Sequence, residues 1–176
     1  MTKWTGLSIA SRTLTRKIFI SYHHKGDQPY YDVFSTSFHD SYDLVYDNSL
    51  DRRIQSDNVD YVMRKIREDY ITGTSCTVVL VGRETWARKY VDWEILATLE
   101  KQHGLIGVKL PSAQIENGKV IVPDRLYANI ASGYAVWTSW EALNHNPAQL
   151  QASIEEANAK PKNLIRNDLP RRLRNG

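Results

Sequence analysis

The stretch TSCTVVLVG, residues 74–82, decides how this chain is read. From Val78 to Val81 it places four aliphatic residues side by side with no polar residue between them, and it stops at Gly82. A strand with one wet face alternates apolar and polar positions. A near-continuous apolar run marks a strand covered on both faces, as in a parallel sheet between two helical layers.

Working outward, KIFISY (17–22) is a shorter run of the same kind, and HHKGDQP (23–29) breaks it. Tyr30, Val33, Phe34 and Phe38 then fall at helical spacing, which predicts a helix ending near His39. YDLVYD (42–47) reads as a second strand, followed by the polar, unpatterned NSLDRRIQSD (48–57), a long connection of the kind that often holds ligands. Asp57 or Asn58 can cap a helix with the face Val59, Val62, Met63, Ile66 and Tyr70, ending at Gly73. Beyond the TSCTVVLVG strand, a helix is expected from about Tyr90 to His103, then a strand in GLIGVKL (104–110) closed by Pro111. Strand and helix thus alternate, which predicts an α/β doubly wound, mainly parallel five-stranded sheet with helices on both faces. Asn117-Gly118 between apolar runs signals a tight antiparallel hairpin inserted before the last strand, YAVW (134–137). Helices occupy roughly 139–160, interrupted near Pro147. The boundaries expected are an arm over 1–16, one domain over 17–160 and a basic tail over 161–176.

Composition excludes several classes of protein. With 41% hydrophobic and 24% charged residues over 176 positions, the chain suits one globular domain. The net charge of +3 is local: residues 160–176 carry six basic residues against Asp168, a net of +5, so the rest is slightly acidic. Any nucleic-acid contact would have to come from that tail, which reads more simply as a solvated, frayed terminus. Cys76, the single cysteine, lies inside the apolar run CTVVLVG (76–82) as a small core residue, in keeping with a reducing cytoplasm. No apolar stretch approaches the ~20 residues that cross a bilayer. The first 26 residues lack acids, as organellar leaders do, but a strand pattern already begins at Lys17.

In an open parallel sheet, ligands bind beyond the C-terminal ends of the strands, where strand order reverses. Those positions hold Ser21, Tyr22, His23 and His24, then Asp47 and Asn48, then Gly82 and Arg83. The chain has no GxxxxGK[ST], GxGxxG, GxSxG or HExxH motif and no CxxC pair, so common nucleotide, hydrolase and zinc chemistries are excluded. Gly82 stands where a two-component receiver needs an aspartate, and HHKGDQ is no flavodoxin phosphate loop.

KIFISYHH (17–24), IREDYITGTSCTVVLVG (66–82) and KYVDWEI (89–95), in that order, resemble the motifs of a Toll/interleukin receptor (TIR) domain, and more closely the TIR-like proteins of bacterial Thoeris anti-phage defence. The resemblance covers about residues 17–137. In the helix-start motif WCxxEL, Tyr90 takes the tryptophan place, Val91 the cysteine, Glu94 the glutamate and Ile95 the leucine. The resemblance implies a flavodoxin-like fold and an enzyme that takes NAD+ as substrate, with no bound cofactor and no metal. Such an enzyme splits the nicotinamide glycosidic bond and releases a cyclic ADP-ribose-type signal, which reaches a separate effector by diffusion. It implies Glu94 as the catalytic residue, with Ser21, Tyr22, His23, Asp47 and Tyr90 as candidates for substrate binding. Homo-oligomers through TIR–TIR contacts are also implied.

The chemistry suits one carboxylate. Departing nicotinamide leaves an oxocarbenium-like ribose that a nearby carboxylate stabilises, and the cationic leaving group needs no proton. Spacing alone would make Glu94 an ordinary first-turn glutamate suited to the helix dipole; the family motif reverses that preference. The alternative is a non-catalytic TIR adaptor, which assembles through loops such as 48–57 and needs no glutamate at this position. Trp86 and Trp93 read as packing residues, and Arg125 and Asn129 as supports for the insertion.

Overall fold

The structure is a computed structural model, which describes residues 16–46 and 58–176. Five strands form one parallel sheet: β1 (Arg16–Ser21), β2 (Tyr42–Tyr46), β3 (Cys76–Val81), β4 (Gly104–Lys109) and, after the insertion, β7 (Val136–Ser139). Their order across the sheet is β2-β1-β3-β4-β7, with every pairing parallel. The doubly wound sheet expected from the alternation is therefore present. The central position of β3 explains its composition, since all six of its residues are buried.

The sheet separates two apolar layers. Ile18, Ile20, Val78, Leu80, Ile106 and Val108 pack with residues of α1 (His24–Phe38), α5 (Trp140–Leu143) and α6 (Pro147–Ala159). On the other face Phe19 meets α2 (Val59–Lys65) and α3 (Lys89–Glu100), while Val79, Val81 and Leu105 meet α3 and α4 (Asp124–Ala131). Asn58 caps α2 by accepting from Tyr61 N at 3.1 Å, and Gly73, at φ 86°, ends the segment in the left-handed conformation. Between them the helix widens into a π-helical turn, Ile66–Ile71. The extra residue lets Ile66 and Ile71, five apart, both become fully buried, which a 3.6-residue period does not anticipate.

Helix α1 begins at His24, six residues earlier than Tyr30. Its first turn closes through Gly26 N and Asp27 N on His23 O, and it tolerates Pro29 because Lys25, whose carbonyl loses its i+4 donor, is an exposed residue. The insertion is the expected hairpin: β5 (Ile115–Glu116) pairs antiparallel with β6 (Lys119–Val120). Asn117 and Gly118 have φ of 49° and 75°, the positive pair that a type I′ turn requires.

The C-terminal segment is not frayed. It runs back along α3, opposite in direction, and is bonded at intervals to α3 and α4. Asn129 bonds the backbone of Arg166 in both directions, at 2.7 and 2.9 Å. Asn167 donates to Leu96 O, Arg172 O accepts from Trp93 Nε1 at 2.8 Å, and Asn175 Oδ1 accepts from Lys89 N at 3.0 Å. That last contact caps the first residue of α3, whose own N-cap residue, Arg88, supplies no side-chain cap. Arg125, wholly buried, pairs with Asp92 at 2.8 Å and donates to Asn167 Oδ1 and the carbonyls of Leu169 and Pro170. Arg125 and Asn129 thus clamp this strap and not the hairpin insertion.

Candidate active site

Strand order reverses between β1 and β3, because the chain passes from β1 to β2 on one side and then to β3 on the other. The crevice beyond their C-terminal ends is where such a sheet holds its ligand. Ser21 closes β1 here, opposite Val79. Glu94, in the second turn of α3, reaches the same place, and Ser21 Oγ donates to Glu94 Oε2 across 73 residues of chain. The carboxylate is buried with only 5% of the residue exposed. Its backbone is fixed as well: Thr98 Oγ1 bonds Glu94 O at 2.8 Å and lies 2.7 Å from Thr77 Oγ1 on β3. A solvated helix charge would have neither the burial nor this double attachment.

Alternation along β1 sorts the other candidates. Ser21 follows Phe19 onto the α3 face, so Tyr22 follows Ile20 onto the α1 face. There Tyr22 stacks on Tyr31 at 4.7 Å and His24 at 4.2 Å, and donates to Gln28 at 3.0 Å. Burial, with Tyr31 beside it, pushes its phenol well above the ordinary range. His23 is nearly covered, and its Nε2 lies 3.2 Å from Glu84 Oε2. Tyr90, one turn before Glu94, meets Trp93 edge-on at 5.3 Å and carries Lys89 over its ring. Asp47 lies outside the described residues, as does the connection 48–57. The structure therefore joins Ser21 to Glu94, sets Tyr90 on the same helix face and His23 at the crevice, and turns Tyr22 into the opposite layer.

Sequence reasoning missed the buried acid Asp27. Asp27, 2% exposed, accepts from Thr85 Oγ1 at 3.1 Å, and Thr85 accepts from Gly82 N at 2.8 Å. A Cβ on Gly82 would lie 2.0 Å from Asp27 Oδ1, so the glycine after β3 leaves the space that this carboxylate fills. Gly82→Ala should therefore lower the melting temperature by several degrees; an unchanged melting curve would show that Asp27 moves aside freely. The only signal in the sequence was an acid in a polar segment, which nothing distinguished from a solvated turn.

Burial raises Asp27 from 3.8 to about 6, and the hydrogen bond from Thr85 opposes the rise. Between those values the folded chain keeps a proton that the unfolded chain has released. Stability therefore falls as pH rises through this window, by at most about 3 kcal/mol, and the full cost remains above it. Asp27→Asn removes the titration. Its melting temperature relative to the parent should rise from pH 4 to pH 7, and a pH-independent difference would contradict this account.

A doubly wound sheet in this order, with a buried glutamate at its switch point, defines a flavodoxin-like α/β domain of the TIR type. A family model described as "Thoeris protein ThsB, TIR-like domain" matches residues 19–115, more than half of the chain, and the chain belongs to that family. The matched segment includes both Ser21 and Glu94. The chain is also similar to the Bacillus cereus (strain MSX-D12) protein named "Putative cyclic ADP-D-ribose synthase ThsB1", 25% identical over 118 residues. That match takes in 61% of this chain and 58% of the relative, a little over half of its length. Among the described residues no helix is long and apolar enough to cross a membrane.

Proposed function

We propose that the chain is an NAD+-consuming enzyme of Thoeris anti-phage defence, which splits the nicotinamide glycosidic bond and closes the ADP-ribosyl group into a cyclic signal. The observation that carries the reading is Glu94, buried at the switch-point crevice with Ser21 donating to its carboxylate. As the bond to the pyridinium lengthens, positive charge gathers on the ribose. A fixed carboxylate beside it stabilises that charge without the reorganisation that water would need. Ser21 orients the carboxylate in the free protein and yields it to a ribose hydroxyl when substrate enters. Water or the substrate's own adenine then takes the ribosyl cation, giving linear or cyclic product. The name of the Bacillus cereus relative supports cyclisation. The signal would leave by diffusion for a separate effector, and TIR–TIR contacts would assemble copies of the chain.

The test is incubation of purified protein with NAD+, alone and in extract from phage-infected cells, with nicotinamide followed by chromatography and the second product by mass spectrometry. Equimolar nicotinamide and a cyclic ADP-ribose isomer are expected. NAD+ left intact in both conditions would favour the non-catalytic adaptor.

A further inference from the structure

We propose that Arg88 and His23 form a pyrophosphate-binding pair across the switch-point crevice, and that the Glu84 carboxylate fills this place until a nucleotide displaces it. The proposal rests on the reading above for its ligand, a nucleotide bearing a pyrophosphate, and adds residues and a gate to that site. The two groups come from opposite sides of the crevice. His23 lies two residues past the end of β1 and its capping position opens α1; Arg88 is the N-cap residue of α3.

Both converge on one oxygen, Glu84 Oε2. His23 Nε2 lies 3.2 Å from it, and Arg88 Nη2 pairs with it. His23 is 8% exposed and its ring lies against the first turn of α1, where a Cβ on Gly26 would come within 3.0 Å of Cδ2. Its donor edge is thereby fixed. Glu84, by contrast, has a half-exposed side chain and precedes only a short 3₁₀ turn, Thr85–Ala87, so its side chain can swing into solvent without disturbing the core. The adjacent Arg88, and His23 behind it, hold its carboxyl below the usual carboxylate range, as expected where an anion is favoured.

Glu84 satisfies this pair incompletely. Arg88 Nε is buried and makes no hydrogen bond among the described residues. A guanidinium presents its donors as a planar fork that a phosphate fills bidentately, so a phosphate can take the Nε edge that Glu84 leaves unused. Spacing fits as well. Arg88 is six positions before Glu94, about 9 Å along a helical rise, so it stands at the same N-terminal end of α3 as that carboxylate.

The test is calorimetric titration with ADP-ribose, which has the pyrophosphate and no bond to cleave, and with nicotinamide riboside, which has none. Glu84→Gln should bind ADP-ribose about tenfold more tightly, and Arg88→Gln about tenfold more weakly, with riboside binding unchanged in both. Unchanged or weaker ADP-ribose binding by Glu84→Gln would overturn the proposal. So would an equal change for the riboside, or no ADP-ribose binding by any of the proteins. A chain that binds ADP-ribose in this Glu84-dependent way yet never releases nicotinamide would keep the pair and refute the enzyme. One that cleaves NAD+ with Glu84 indifferent would do the reverse.

Discussion

Glu94→Gln is expected to lower the rate of nicotinamide release from NAD+ by about two to three orders of magnitude, the usual loss when a preorganised electrostatic group is removed from a transition state. Glutamine keeps the shape of the side chain and an oxygen for the Ser21 hydroxyl, so the fold should survive with a melting temperature close to the parent's. What it lacks is the negative charge that faces the ribose as the glycosidic bond breaks. Ground-state binding depends less on that charge, so the loss should fall on kcat more than on KM. Ser21→Ala, which removes only the serine hydroxyl from the carboxylate, should cost far less. Equal losses for the two variants would shift the role from charge to hydrogen bonding.

The largest effect on stability is expected at Arg125. The guanidinium is wholly buried and serves Asp92, Asn167 and the carbonyls of Leu169 and Pro170 at once. Arg125→Met fills much of the same volume but leaves the Asp92 carboxylate without its buried countercharge, a change that typically costs about 3 to 5 kcal/mol. For a domain of this size that is a fall in melting temperature of roughly 10 °C. Arg125→Lys should recover only part of it, because an ammonium cannot reach all four partners from one point. A shift under about 2 °C would mean that the strap contributes little. Because Asn175 caps the helix that bears Glu94, loosening the strap should also reduce nicotinamide release.

The sheet was legible because its signal is periodic and local. The run at Val78–Val81 is apolar on both sides since β3 is central, and Asn117-Gly118 names its own turn. Glu94 was legible through the family motif alone; spacing could not tell it from a dipole-matching surface glutamate, and burial against Ser21 is a tertiary fact. Residues whose role depends on distant partners were hidden. Asp27 looked like part of a polar break because the group that receives it is a glycine 55 positions away. Arg125 and Asn129 were assigned to the neighbouring insertion because no pattern links a helical arginine to carbonyls 44 and 45 residues later. The tail was read by its charge, whereas backbone carbonyls and amides hold much of it in place.

The most direct test of the central claim is a crystal structure of Glu94→Gln with NAD+ bound. The account predicts the nicotinamide ribose in the crevice beyond β1 and β3, with a ribose hydroxyl within hydrogen-bonding distance of the residue 94 side chain and Ser21 turned away from it. NAD+ bound elsewhere, or a ribose held out of reach of residue 94, would contradict it.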